Sequence, residues 1–388
     1  MRIVIVGGGI GGFALATFLN QRGIDHVVIE RAPSFKALGH FIALKGDGVE
    51  VLDRLGVRAA CDARALPASL SMTYRTAAGH PLHRQPASDM DEALGGFLML
   101  RRADLSDVLY RNVAGETDVR FGTEVTAIQQ KDGGAVVTLS DGSTEHADVV
   151  VGADGVHSSI RRMVFGDGGE RDLDGSYVAV EVKLAHDHEP GEVVSFLGRG
   201  RVVNVLALGE REIAAVVYHG GEDLRPKLRG PRETRAFFAR EYAAFHPLVR
   251  TLFSAIDADS FVFVDAIRMV TLPSIVSNNV ALLGDAAACP TFLSGMGSAY
   301  AMLSAERLAD AISGDDLTRG LAHYAREAEA HAATLQSNAL RMRELILGQS
   351  RVMTAIRNSV LAVAPMSWLL LRARRFYDVK DGGRRASA

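Results

Sequence analysis

Gly7, Gly9 and Gly12 stand in the spacing G-x-G-x-x-G, and their flanking residues give that spacing a chemical meaning. The first glycine permits a tight turn, the second lets backbone approach a pyrophosphate, and the third lets a helix pack close to a strand. A helix opening near Ile10 offers that pyrophosphate free N–H groups and a partial positive charge. Glu30 falls where a carboxylate accepts hydrogen bonds from a ribose diol, and Arg31 follows it. These residues need a frame, and the sequence supplies one. Ile3-Val4-Ile5-Val6 is a β-branched run of the kind buried on both faces. A helical pattern (Phe13, Ala16, Leu19, Asn20) stops near Gly23, and a second apolar run at 27–29 ends in Glu30. Strand, helix, strand and terminal acid in register predict a dinucleotide site.

Two later stretches carry the same kind of signal. Val150-Val151-Gly152 runs into Ala153-Asp154-Gly155, where a sharp turn opens a helix with Ser158 and Arg161 in its first turn. An ordinary strand-to-helix connection would read the same way. Val280-Ala281-Leu282-Leu283 delivers Gly284-Asp285, and Pro290, Thr291, Phe292, Gly295, Met296 and Gly297 then lead into a long helix at 298–312. Asp285 can accept hydrogen bonds from a sugar-alcohol chain, and Gly295 and Gly297 let backbone N–H groups approach a flat, electron-rich ring. The plainer alternative is a solvated acid beside a helix N-terminus.

The remaining pattern places these motifs. Helices are expected at 49–55 and from Arg102 to about Val113, and a hairpin at 69–84 around Ala78-Gly79. Runs at 124–130, 135–139 and 145–151 alternate like antiparallel strands, with Asp132-Gly133-Gly134 and Asp141-Gly142 as turns. Period-two runs at 177–184, 192–197, 201–208 and 213–218 predict a second sheet with one ligand-facing or buried side. A helix is expected at 231–241, strands at 261–267 and 280–283, and helices from Gly297 onward.

The 388 residues suffice for two or three domains, with 48% hydrophobic and 23% charged side chains. A net charge of −3 gives no electrostatic case for nucleic acid. Cys61 and Cys289 alone imply neither a disulfide framework nor a metal site, and fit a cytoplasmic protein. No apolar run reaches the ~18 residues of an integral membrane segment; the longest, 360–371, is broken by Pro365.

In this order and spacing, the three motifs resemble the FAD-dependent aromatic hydroxylases, the compact, p-hydroxybenzoate hydroxylase-like branch of the group A flavoprotein monooxygenases, which includes tetracycline-inactivating enzymes. The resemblance covers roughly residues 1–315. It implies an α/β fold with a Rossmann-like FAD-binding domain (1–70, 100–170 and 265–315), an inserted, mostly antiparallel substrate sheet (71–99 and 171–264) and a helical C-terminus (316–388). It implies that Glu30 binds the adenosine ribose and Asp285 the ribityl chain, and that Asp154-Gly155 touch FAD or NAD(P)H. Arg102 matches an arginine on the flavin side, and Gly39 to Gly48 match a loop near the ring. Ile10, Arg31, Val125, Gly284 and Pro290 fall among the cofactor contacts on the same basis. Two departures stand at the ring-side loop: Phe292 where proline is usual, and Met296 where Gln is common.

The implied chemistry is reduction of the flavin by NAD(P)H, O2 addition at C4a, and transfer of one oxygen atom to an aromatic or polyketide-like small molecule. The flavin carries that chemistry, so no protein nucleophile is expected. His40, Lys45 and Tyr218, with His219, are the side chains considered for contact with substrate or cofactor. Few charges at strand centres in 171–264 point to a large, rather apolar substrate. A prenyl-chain (alkene) reductase or a non-catalytic FAD-binding pathway partner would share the cofactor motifs; a halogenase would need a W-x-W-x-I-P signature, which a single tryptophan, Trp368, forbids. The stretch 341–375, mixing Val352, Ile356, Val360, Trp368 and Leu369 with arginines, reads as a helix packed across the FAD domain, the alternative being an amphipathic element touching a membrane.

Overall fold

The computed structural model describes residues 1–36, 41–66, 71–188 and 192–364; His40, Gly39, Trp368 and Leu369 lie outside them. In chain order the elements are β1 (Arg2–Val6), α1 (Ile10–Gln21), β2 (Asp25–Glu30), β3 (Phe41–Lys45), α2 (Asp47–Arg54), α3 (Arg58–Asp62), β4 (Ser71–Thr76), β5 (Pro81–Pro86), α4 (Ala87–Leu94), β6 (Phe97–Arg101) and α5 (Arg102–Val113). Next come β7 (Asp118–Phe121), β8 (Val125–Lys131), β9 (Gly134–Leu139), β10 (Thr144–Ala147), β11 (Val149–Gly152), α6 (Ser159–Phe165), β12 (Glu170–Lys183), β13 (Val193–Leu197), β14 (Arg201–Gly209) and β15 (Glu212–Gly220). The chain continues through α7 (Pro231–Glu241), α8 (Pro247–Ser254), β16 (Phe261–Val270), β17 (Val276–Ser277), β18 (Val280–Leu282), α9 (Asp285–Ala288), α10 (Gly297–Ile312), α11 (Leu317–Leu347) and α12 (Arg351–Val363).

The central sheet runs β17-β18-β11-β1-β2-β7 and is parallel apart from β17. Its inner strands are buried on both faces, as their unbroken Val/Ile runs require. The run 145–151 is not one antiparallel strand. It breaks at Asp148: β10 pairs antiparallel with β9, while β11 joins β1 in parallel. Asp148 makes the break because its carboxylate takes the Arg2 N–H at 2.6 Å and its carbonyl takes the Asn279 amide at 2.7 Å. That switch puts Asp154 at the carboxyl end of the parallel sheet.

The second sheet, β16-β12-β15-β14-β13-β4-β5, is antiparallel except for the β13–β4 pair. Strand alternation gives it two unlike faces. Val178, Val180, Val203, Val205, Ala215 and Val217 point to one side, where Phe237, Phe238, Tyr242 and Phe253 of α7, α8 and their link cover them. Tyr177, Ala179, Val216, Tyr218, Asn204 and Ser195 share the other side by register. Helix α11 ties the sheets together: Tyr324 Oη donates to the Leu282 carbonyl of the central sheet (2.7 Å), and Arg343 Nε donates to the Leu173 carbonyl of β12 (2.8 Å). Helix α12 departs from the expectation for 341–375: its guanidinium at Arg357 docks on the Gly198 carbonyl beside the second sheet, away from the FAD-side elements.

Candidate functional site

The glycine loop is built by exclusion of Cβ atoms. A Cβ on Gly12 would lie 1.9 Å from the Gly7 carbonyl oxygen, so α1 can sit against the loop only with glycine there. Gly7 is at φ +112 and faces the Ala153 carbonyl at 2.5 Å from its would-be Cβ, which joins this loop to the Asp154 turn. At Gly9 the would-be Cβ has no neighbour within 4 Å. This position therefore opens on space. Helix α1, beginning at the buried Ile10, has no acidic residue in its first turn and no side-chain cap. Its positive end is left for an anion supplied from outside the chain. Glu30 ends β2 and holds the loop: Oε2 accepts the Gly8 N–H and Oε1 the Ala32 N–H, both at 2.7 Å. A carboxylate has about four acceptor positions, so ribose hydroxyls still have partners there. Arg31 is exposed beside it, and Val125 is buried at the start of β8.

Asp154 does something the motif reading missed. Its carboxylate accepts Ser158 Oγ at 2.5 Å, Ser159 N at 2.6 Å and Ile160 N at 3.2 Å, so it caps the start of α6. Gly155 (φ +77) leaves open space at its Cβ position. Arg161 is fully buried: it donates to the Val156 carbonyl at 2.6 Å, the Ala286 carbonyl at 3.1 Å and the Glu170 carboxylate, while its Nε has no partner. The second motif is thereby fastened to α9, one residue beyond Asp285.

The third motif completes the cleft. Gly284 (φ +60) turns the chain so that Asp285 opens α9, and a Cβ on Gly297 would sit 3.7 Å from Asp285 Oδ1. Burial pushes the Asp285 carboxyl up, and the charge of Arg102 and a bond from the Cys289 thiol oppose it. Arg102 is the first residue of α5. Beyond the buried Pro290, Thr291 is at φ +68 and ψ 153, a conformation that costs about 1–3 kcal/mol outside glycine. Its hydroxyl accepts Leu293 N and its carbonyl accepts Ser294 N, which hold the strain in place. Gly295 is exposed at φ +62, and its Cβ position lies 3.4 Å from Lys45 Nζ. Met296 turns its side chain into the core, and its N–H donates to Ser294 Oγ. The usual Gln is thus replaced by a core-filling residue.

Phe292 reaches the second sheet. Its ring stacks on Tyr177 with centroids 4.2 Å apart and planes at 6°, and approaches Tyr218 at 5.6 Å. Tyr177 and Tyr218 face each other across β12 and β15, and Phe263 of β16 adds a third ring at 5.7 Å from Tyr177. Burial raises both phenol pKa values, so both tyrosines stay protonated. His219 goes to the opposite face, bonded to Tyr242 Oη at 3.0 Å, and cannot join Tyr218 at one ligand. Two polar residues on the site-facing side were overlooked: Ser195 Oγ donates to Asn204 Oδ1 at 2.7 Å. The signal was an Asn and a Ser interrupting the otherwise apolar runs of β14 and β13. Glu181 lies on the same side; burial raises its pKa, against the charge of Arg101 at 4.0 Å.

A cradle that only glycine fits, an uncapped helix N-terminus, an acid beside it and a second acid at Gly297 suit FAD. The comparisons agree. A family model described as an FAD binding domain matches residues 1–339. An FAD-dependent urate hydroxylase of Mycolicibacterium vanbaalenii is 30% identical over 347 residues, covering 86% of each chain. Klebsiella pneumoniae HpxO, solved with FAD and uric acid, superposes with a TM-score of 0.85 at 24% identity, covering 97% of this chain and 96% of its own. The tetracycline destructase Tet(55) does so with a TM-score of 0.77 at 24% identity, over 92% of this chain and 94% of its own.

Proposed function

We propose, from the premise that this chain belongs to the FAD binding domain family and is an FAD-dependent monooxygenase using NAD(P)H, that its substrate is a flat, uncharged, largely apolar aromatic or polyketide-like molecule. The observation that carries this reading is the aromatic wall of Phe292, Tyr177, Tyr218 and Phe263. Stacked and offset rings of this kind prefer a further flat ring over a flexible or charged group. On this side β12 and β16 place Glu181 and Asp265 nearer the rings and Lys183 at the exposed end of β12, so no cation of these two strands stands beside the rings to pair with a benzoate. In this reading residues 1–70, 100–170 and 265–315 hold the cofactor, 71–99 and 171–264 hold the substrate, and the protein works in the cytoplasm.

The chemistry that FAD supplies when bound is reduction by NAD(P)H and transfer of one oxygen atom from O2. The side chains do the rest. The α1 N-terminus takes the pyrophosphate, Glu30 the ribose, and Asp285 the ribityl hydroxyls, with the Arg102 charge opposing the upward push of burial on the Asp285 carboxyl. The bond from Ser195 fixes the Asn204 amide, so that its NH2 donates to a carbonyl or phenol oxygen of the substrate. Tyr177 and Tyr218 keep their protons at Oη and line the pocket as neutral walls. Packing around the rings excludes water.

The test is turnover of FAD-loaded protein with NADPH under isotopically heavy O2, comparing uncharged fused-ring phenols with hydroxybenzoates. The expected result is label in the fused-ring product and a kcat/KM advantage of about tenfold or more over the acids. A preference for the acids would refute the substrate class. Reduction of alkenes without O2 would instead make it a reductase.

A further inference from the structure

Helix α12 is inside out for a helix that lies on water. At 100° per residue, Val352, Met353, Ile356, Val360 and Val363 fall within about 100° of arc, a single apolar stripe. That stripe faces away from the protein: Val352 is 68% and Val363 81% exposed, and the other three are exposed as well. The side turned inward is the polar one. Thr354, Arg357, Asn358 and Leu361 face the body, and Arg357 is buried, donating to the carbonyls of Leu345, Ile346 and Gly198 at 3.1–3.4 Å. Met342 and Leu345 of α11 add exposed apolar area nearby. An Arg anchored to three carbonyls fixes the rotation of α12, so the outward stripe is a property of the fold and not of a loose end.

The charge of the sequence from this helix onward says what covers it. Residues 351–388 carry eight basic and two acidic side chains, a net of +6 in a chain whose net charge is −3. The helix itself has no acidic residue; of its two arginines Arg357 is the buried anchor and Arg351 is exposed. The sequence after it continues in the same composition, with Met366, Trp368, Leu369, Leu370 and Leu371 followed by Arg372, Arg374 and Arg375. An apolar stripe with concentrated positive charge fits an anionic lipid surface, where the side chains enter the interface and the arginines meet headgroups. The same charge opposes pairing of two copies through this face.

We propose that α12 docks this enzyme on anionic bilayers as a peripheral, interfacial helix. It does not span: among the described residues no helix is long and apolar enough to cross a membrane. The helix lies against β5 and the Gly198 turn, at an edge of the substrate sheet, so docking brings that edge to the phase in which an apolar aromatic substrate dissolves.

The experiment is co-sedimentation of full-length, FAD-loaded protein with vesicles of pure phosphatidylcholine and of phosphatidylcholine and phosphatidylglycerol in equal parts. It is run on wild type and on the triple variant Val352→Ser, Ile356→Ser, Val360→Ser. The substituted side chains are exposed, so flavin content and NADPH oxidation report that the variant is folded. The proposal expects wild type to bind the anionic vesicles, to bind the neutral ones far less, and to lose about tenfold or more of its binding in the variant. No binding by wild type, equal binding to both vesicles, or equal binding by wild type and variant would overturn it. So would a dimer in light scattering that the variant converts to monomer, since the stripe would then be an interface between two copies. None of these readouts depends on which aromatic compound is oxidised.

Discussion

His331 should make this enzyme acid-sensitive in a way that one substitution removes. The imidazole sits on α11 under α10, edge-on to Tyr300 with centroids 5.3 Å apart. Its Nδ1 lies 3.2 Å from Arg307 Nη1, which can only donate, and its Nε2 is buried without a partner. Burial first, and the Arg307 charge second, push its pKa down from 6.5 to about 3. The folded state therefore resists a proton that the unfolded chain accepts near its ordinary pKa. Stability from this group is complete above about pH 6.5 and is lost progressively as pH falls toward about 3. At about pH 5 the unfolded state gains RT ln(1 + 10^1.5), about 2 kcal/mol, against about 0.2 kcal/mol at about pH 7. His26, His219 and His246 are also lowered by burial, but a comparison at fixed background cancels them. Urea unfolding of FAD-loaded wild type and His331→Leu at both pH values is the assay. Wild type should lose about 2 kcal/mol more than the variant between the two. Parallel losses would show that His331 either is protonated in the folded state or never leaves water, and would refute the reasoning.

Other outcomes follow from the site. Gly12→Ala places a Cβ 1.9 Å from the Gly7 carbonyl oxygen, so the purified variant should lose flavin and melt lower, whereas Gly9→Ala, with nothing within 4 Å, should lose flavin with an unchanged apoprotein melting temperature; absorbance at the flavin band and calorimetry separate the two. Arg161→Met leaves the Val156 and Ala286 carbonyls without this donor and Glu170 with Arg268 alone at 3.6 Å, and should cost about 2 kcal/mol in denaturant unfolding, in addition to weakening FAD retention. Phe292→Leu and Tyr177→Leu should couple by about 1 kcal/mol in a double-mutant cycle of stability, and each should raise KM for aromatic substrate while leaving FAD affinity within about twofold.

What was legible in the sequence was whatever local sterics or period decide. The glycine spacing could be read because a missing Cβ is a local fact, and Gly12 against Gly7 bears it out in the geometry. The strands of the second sheet could be read because alternation survives within each run. Two kinds of fact escaped. The first is what a polar group is already bonded to: Asp154 reads as a ligand contact, yet its carboxylate is taken by the start of α6, a bond set by the angle of a turn that residue types do not encode. The second is which side of an amphipathic element meets a neighbour. Periodicity shows that Tyr218 and His219 lie on opposite faces, but not that α7 and the Tyr242 link cover the histidine while Phe292 meets the tyrosine. It shows an apolar stripe on α12, and the ordinary inference is that such a stripe faces inward. Three carbonyls offered to Arg357 reverse that inference, because the Asn358 side-chain oxygen of its own helix satisfies only Nε and shares Nη2, and the rest of the buried guanidinium is met by those carbonyls. A polar anchor thus decides the orientation of an apolar face, and the face it turns outward is the one that the proposed docking on an anionic bilayer uses.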